Sequence, residues 1–150
     1  KKLNIAIIGL GNIGCYLFKF LKKNKKILSK KNNCIPKITF VSAKNKQRRR
    51  DCVIKKKNCI PNIIYVSAKN KKKNRGFKIN NKIWLKNYLD ATKKKNVDLI
   101  IELIGGAEGP AKNLVFSALK NKKHVVTANK ALIAKYGDQL SKIAEKNRVN

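Results

Sequence analysis

Six residues constrain the fold of this chain more than any others: Gly9-Leu10-Gly11-Asn12-Ile13-Gly14, which follow an apolar run from Leu3 to Ile8 and precede an amphipathic stretch. The order reads as strand, glycine turn, helix. Each glycine of the GxGxxG spacing has its own task. Gly9 allows the tight turn out of the strand, Gly11 lets backbone approach a pyrophosphate, and Gly14 lets helix and strand pack closely. Free N–H groups at the start of the helix then face the phosphates. A lone GxGxxG is a weak signal, but one placed between a strand and a helix points to a dinucleotide site. Gly9, Leu10, Gly11, Asn12, Ile13 and Gly14 are therefore candidate cofactor-binding residues.

The rest of the chain repeats the alternation. Leu3 to Ile8 is nearly continuous in apolar residues, as a parallel strand covered on both faces must be. The stretch from about Asn12 to Lys25 reads as a helix whose Ile13, Leu17, Phe20 and Leu21 form a stripe toward the sheet. Trp84 to Thr92 reads as a short helix with Trp84, Leu85, Tyr88 and Leu89 on its apolar side. Val97 to Ile104 is a second buried strand, ending in Gly105-Gly106. Pro110 then opens a helix with Leu114, Val115, Ala118 and Leu119 facing inward. Val125 to Ala128 is a third core strand, and Ala131 to Asn147 has helical spacing interrupted at Gly137. This order predicts an α/β fold, a Rossmann-like doubly wound parallel sheet. Leu3 to Ile8 should lie centrally, flanked by Val97 to Ile104 on one side.

The strand expected on the other side is present twice. Asn33-Cys34-Ile35-Pro36-Lys37-Ile38-Thr39-Phe40-Val41-Ser42-Ala43-Lys44 recurs 25 residues later as Asn58-Cys59-Ile60-Pro61-Asn62-Ile63-Ile64-Tyr65-Val66-Ser67-Ala68-Lys69. Two copies do not make a solenoid, so residues 33–50 and 58–75 read as a tandem duplication. One copy should fill the second-strand position and the other should pair at an edge or loop out. Ile38 to Ser42 follows the first helix at a natural loop distance, while Ile63 to Ser67 runs on into Arg75-Gly76-Phe77. The sequence does not choose between them.

A chain of 150 residues suits one domain with a single core. No apolar run approaches the ~18 residues that a membrane span needs, and nothing resembles a signal peptide, so a cytoplasmic location is expected. Cys15, Cys34, Cys52 and Cys59 lack paired CxxC spacing, and the single histidine, His124, is remote from them, so no metal site is expected. His124 opens a predicted strand, where a packed or surface role is the default. The net charge is +31: residues 1–89 hold 26 Lys and Arg against one acid, Asp51, whereas residues 90–150 hold 12 against six. Such a charge could serve a nucleic-acid partner through phosphate neutralisation. However, lysine mingles with asparagine and isoleucine throughout, and no aromatic-interleaved platform or finger spacing accompanies it. A compositional bias toward these residues explains the pattern better than a binding patch. The alternative kept open is a basic nucleotide- or nucleic-acid-binding module on a Rossmann scaffold, without enzyme activity.

Glu102-Leu103-Ile104-Gly105-Gly106, the helix from Pro110 to Asn121, and His124-Val125-Val126-Thr127-Ala128-Asn129-Lys130-Ala131-Leu132 together resemble the NAD(P)-binding domain of homoserine dehydrogenase. The resemblance extends back to Gly9–Gly14 and to the Val-Ser-Ala-Lys segment, so it covers most of the chain except one repeat copy. Thr127-Ala128-Asn129-Lys130 is its most specific element. Members of that family interconvert L-homoserine and L-aspartate 4-semialdehyde with NADPH or NADH. The resemblance implies that Ser67, Lys69, Gly105, Gly106, Thr127 and Asn129 join the cofactor-binding set. It also places Lys130 near nicotinamide and substrate, as a catalytic cation that orients a carbonyl or carboxylate. Ser67 and Lys69 are preferred to Ser42 and Lys44 because their copy continues into Arg75-Gly76, which resembles the family. The family continues beyond the equivalent of Asn150 into a substrate and dimerisation domain. The chain, which starts at Lys1 without methionine, is therefore expected to be part of a longer protein, incomplete for catalysis alone and oligomeric only through that domain. The duplication falls where the adenosine end of a cofactor should bind.

Cofactor preference can be read from the residues themselves. An NAD-specific site places Asp or Glu about 20 residues beyond the glycines, against the ribose 2'-hydroxyl. Both candidate strands instead end in Ser-Ala-Lys followed by further cations. NADP(H) is thus expected to be preferred, with NAD(H) possible.

Overall fold

The computed structural model describes residues 2–25 and 60–150. The upstream repeat copy, with Ser42 and Lys44, lies outside the described residues, as do Cys34, Cys52 and Cys59. Strand β1 (Lys2–Ile8) lies between β2 (Ile60–Ser67) and β3 (Leu99–Glu102), and β3 pairs onward with β4 (His124–Thr127). All three pairings are parallel. The downstream copy therefore fills the second-strand position. Its register runs from Leu3 opposite Pro61 to Ile8 opposite Ser67, with Ile64 passed over between Ile5 and Ala6. Pro61, which has no N–H to donate, is tolerated near the start of a strand that pairs only with β1 among the described strands.

The pleat of β1 divides the interior into two cores. Ile5 and Ile7 pack with Val66, Leu99, Ile101 and Phe18 on one face. Ala6 and Ile8 pack with Ile100, Val125, Leu114, Val115, Ala118, Leu119, Leu132 and Leu140 on the other. Helix α1 (Asn12–Lys23) covers the first face. Helices α3 (Pro110–Lys120) and α4 (Lys130–Asn147) cover the second. This is the doubly wound arrangement, and it explains why β1 and β3 carry apolar residues at successive positions rather than alternate ones.

Four details depart from the sequence reading. In α1 the buried residues are Gly14 and Phe18, with Leu17 and Leu21 half-buried. Ile13 is 65% and Phe20 43% exposed, so neither belongs to the sheet-facing stripe. The apolar arc of this helix, opposite Asn12, Lys19 and Lys23, is wider than the face the sheet covers, and the contact of Gly14 with Gly9 sets which apolar residues turn inward. Second, no helix spans Trp84 to Thr92. A 3-10 turn at Asn81–Ile83 is followed by a bridge from Trp84 to Val66, and only α2 (Asp90–Lys93) is helical. The Leu85 N–H donates to the Val66 carbonyl at 2.8 Å, and Asn87 Oδ1 accepts from Leu89 N at 2.9 Å. Satisfying an edge-strand carbonyl and forming an Asx turn both compete with a helical ladder.

Third, the apolar run from Val97 to Ile104 contains only four residues of regular strand. Fourth, α4 continues through Gly137 without interruption. His124 opens β4 half-buried, and its Nδ1 accepts from the Asn150 N–H at 3.2 Å. No described helix is long and apolar enough to cross a membrane.

A Cβ at Gly137 would meet only the Ile133 side chain, at 3.7 Å, which is ordinary contact. Glycine inside a helix is less favourable than alanine by about 0.5–1 kcal/mol. Gly137→Ala should therefore raise the free energy of unfolding by about that amount, read as a higher denaturant midpoint. A lower midpoint would show that the glycine is required.

Candidate functional site

Every sequence-predicted site residue lies at or just beyond the carboxyl end of a strand, where ligands gather in open parallel sheets. The glycine loop follows β1. Gly9 has φ +104°, and a Cβ there would stand 2.4 Å from the Leu103 carbonyl oxygen. A Cβ on Gly14 would stand 2.0 Å from the Gly9 carbonyl oxygen. Gly11 differs: a Cβ there would meet nothing within 4 Å. The first two glycines are thus demanded by the protein itself, and the third is not. Leu10 is buried in the core, and its carbonyl accepts from Cys15 Sγ at 3.3 Å and from Arg75 Nε at 3.4 Å. In a planar trans peptide the Gly11 N–H then points away from the Cys15 and Arg75 side chains that hold this carbonyl. Asn12 and Ile13 are exposed at the start of α1, where first-turn N–H groups have no intrahelical partner and Gly11 supplies no side-chain cap.

The end of β2 is fastened to this loop. The Gly9 N–H donates to the Ser67 carbonyl at 2.8 Å, while the Ser67 hydroxyl, buried, donates to the Leu85 carbonyl at 3.0 Å. Ser67 is therefore turned into the protein rather than toward solvent. Lys69 is exposed and makes no hydrogen bond or ion pair among the described residues. Arg75, to which the sequence alone gives no task, gathers the carbonyls of Asn70, Lys71 and Lys73 at 2.5, 3.3 and 2.9 Å. Its guanidinium also lies 5.5 Å from the centre of the Trp84 ring. It shapes the 70–75 loop and ties it to Leu10.

Beyond β3 and β4 a closed hydrogen-bond network centres on Glu102, which is fully buried. Its Oε1 accepts from the N–H groups of Ile104 and Gly105 at 2.5 and 3.2 Å, and its Oε2 accepts from the Thr127 hydroxyl. Thr127 Oγ1 accepts in turn from Asn129 N at 3.0 Å. Asn129 caps α4 by accepting from Leu132 N at 3.1 Å, and its Nδ2 donates to the Gly106 carbonyl at 2.5 Å. Gly105, Gly106, Thr127 and Asn129 are thus joined. Lys130, the first residue of α4, is exposed and unpaired among the described residues. Glu102 carries no site assignment from the sequence alone, although an acid flanked by Ile100, Ile101, Leu103 and Ile104 is the available signal.

The far end of the Gly105-Gly106 turn is held by Glu108. Its carboxylate takes the Lys135 ammonium at 2.6 Å, the Tyr136 hydroxyl, and the Lys112 ammonium at 3.1 Å. Lys135 most of all, then Tyr136 and Lys112, hold its pKa well below the ordinary 4.5, at about 2. Tyr136 and then Glu108 raise the pKa of Lys112, and Glu108 above all raises that of Lys135.

Comparison with known proteins agrees with this geometry. A family profile described as homoserine dehydrogenase, NAD binding domain, matches residues 9–150. Homoserine dehydrogenase of Neisseria gonorrhoeae is 29% identical over 149 residues, which are 99% of this chain and 28% of that protein. The crystal structure of Staphylococcus aureus homoserine dehydrogenase at pH 7.5 superposes with a TM-score of 0.75 at 29% identity, over 99% of this chain and 32% of that one. A hyperthermophilic archaeal homoserine dehydrogenase mutant in complex with NADPH shares the fold, with a TM-score of 0.63 at 18% identity, over 99% of this chain and 42% of that one. The chain thus spans about 28% of the length of the curated relative.

The Glu108 cluster makes a pH prediction. A carboxyl whose pKa is lowered on folding contributes stability that is present above about 4.5 and lost as pH falls through about 2. A carbon-detected NMR titration should place the Glu108 midpoint near 2, and Lys135→Ala should move it up toward 4.5. An unchanged midpoint in the variant would remove Lys135 as the main cause.

Proposed function

The chain belongs to the homoserine dehydrogenase NAD-binding domain family, and from that premise we propose that it holds NADP(H) across the carboxyl ends of β1 to β4. In this reading the pyrophosphate rests on the backbone of Gly9, Leu10, Gly11, Asn12, Ile13 and Gly14. The observation that carries it is the contrast among the glycines: Gly9 and Gly14 are crowded by protein, whereas the space a Gly11 Cβ would take is empty. An omitted side chain with no protein neighbour is what close approach of a ligand requires. The orphan N–H groups of the first turn of α1 supply donors for the phosphate oxygens.

The adenosine end falls to the loop after β2. Ser67 supports it from below through Gly9, and Lys69 meets the 2'-phosphate. Residues 68–75 contain no acid to oppose that phosphate. Gly105, Gly106, Thr127 and Asn129 line the nicotinamide end. When bound, the cofactor supplies the hydride chemistry by which the family interconverts L-homoserine and L-aspartate 4-semialdehyde. Lys130 would orient the substrate through its cation, acting as the catalytic residue of this chain. The remaining substrate-handling groups are assigned to the family's second domain.

Calorimetric titration with NADP(H) and NAD(H) tests the proposal. Gly11→Ala should leave the melting temperature unchanged while weakening NADPH binding by about 10-fold or more, the loss expected for charge-assisted hydrogen bonds. Gly14→Ala should instead destabilise the fold by about 1–3 kcal/mol through overpacking. Wild-type affinity in Gly11→Ala would sink the site assignment.

The same titration addresses preference. NADP(H) should bind more tightly than NAD(H) by a margin that shrinks with salt. Lys69→Ala should remove about threefold of it, as exposed ion pairs do. Equal or NAD-favouring affinities would overturn that preference.

A further inference from the structure

We propose that Glu102 is the positioning residue for the nicotinamide end of the site, fixing the turn after β3 and the start of α4 as one unit. This rests on the cofactor reading above. The position calls for explanation because its neighbours in β3, Ile100 and Ile101, are apolar and Glu102 is as deeply buried as they are. No cation pairs with it among the described residues. A carboxyl group without a counter-charge in such surroundings is less favourable than the aliphatic side chain that would fill the same space. All its side-chain hydrogen bonds instead reach toward the candidate site: two backbone N–H groups of the loop after β3 and the hydroxyl of Thr127, which ends β4.

The geometry says what this achieves. Gly105, at φ +86°, turns its N–H inward to Glu102. The carbonyl of Ile104, in the same trans peptide, therefore faces outward. An outward carbonyl accepts from an amide N–H, and the carboxamide of a nicotinamide is a donor of that kind. Through Thr127 the same carboxylate reaches the backbone N–H of Asn129, whose side chain starts α4 and holds the Gly106 carbonyl. The place of Lys130 follows from that cap. Glu102 thus sets the acceptor and the cation together while touching neither ligand.

The 150-residue chain should be titrated with NADP+ and with 2'-phospho-ADP-ribose, which lacks only the nicotinamide. Glu102→Gln keeps the shape but cannot accept at both oxygens. It should weaken NADP+ binding about tenfold and leave 2'-phospho-ADP-ribose within about twofold. Thr127→Val, which severs the same link, should do likewise, and Thr127→Ser should restore wild-type affinity. If Glu102→Gln fails to fold, the Thr127 pair decides. Parallel loss of both ligands, or no change in either, overturns the proposal and leaves the cofactor reading intact. A wild-type chain that binds neither ligand overturns both.

Discussion

The contact on which the rest of this structure depends is between two glycines. The carbonyl of Gly9 lies 2.0 Å from where a Cβ of Gly14 would be, so α1 can sit against the end of β1 only because Gly14 has no side chain, while the bare Cα of Gly9 lets the Leu103 backbone close in from the other side. That approach fixes which face of α1 meets the sheet, burying Phe18 and leaving Tyr16 and Phe20 outside, stacked on each other at 6.2 Å. It also holds Gly9 so that its N–H reaches Ser67 in β2 and its Cα lies beside Leu103 beyond β3. One turn therefore aligns the ends of three strands. The open position at Gly11 is the gap this alignment leaves.

On the other half of the sheet the same task falls to a carboxylate. Two loops with little regular structure are joined by Glu102, Thr127 and Asn129, and their outer rim is clamped by Glu108 between α3 and α4. The two halves solve one problem by different means. Where the backbone must be approached closely, side chains are absent, and where it must be held still, polar side chains are buried and saturated with hydrogen bonds.

Much of this was legible in the sequence, for identifiable reasons. Leu3 to Ile8 and the glycine spacing are local signals, and the sheet order follows from them because parallel crossovers admit few topologies. The resemblance carried by Thr127 to Lys130 pointed to the family to which the chain belongs. What was not legible depends on contacts distant in sequence. Trp84 and Leu85 have helical spacing, yet Val66 claims them as a bridge. The two repeat copies are nearly identical as strings, so only their tertiary setting distinguishes the one that pairs with β1. Gly137 reads as a break and proves to be an ordinary helical residue. Glu102 reads as part of a motif, and its burial and partners follow only from the fold.

The central claim is that a dinucleotide lies across the carboxyl ends of the four strands. The most direct test is amide chemical-shift mapping of the chain on addition of NADP+. The account predicts that the largest shifts fall on residues 9–14, 67–75, 105–106 and 127–130. Shifts concentrated instead in the lysine-rimmed groove formed by Phe18, Lys19, Lys22, Lys23 and Phe77 would contradict it, because binding would then follow the surface charge of the chain rather than the architecture of its sheet.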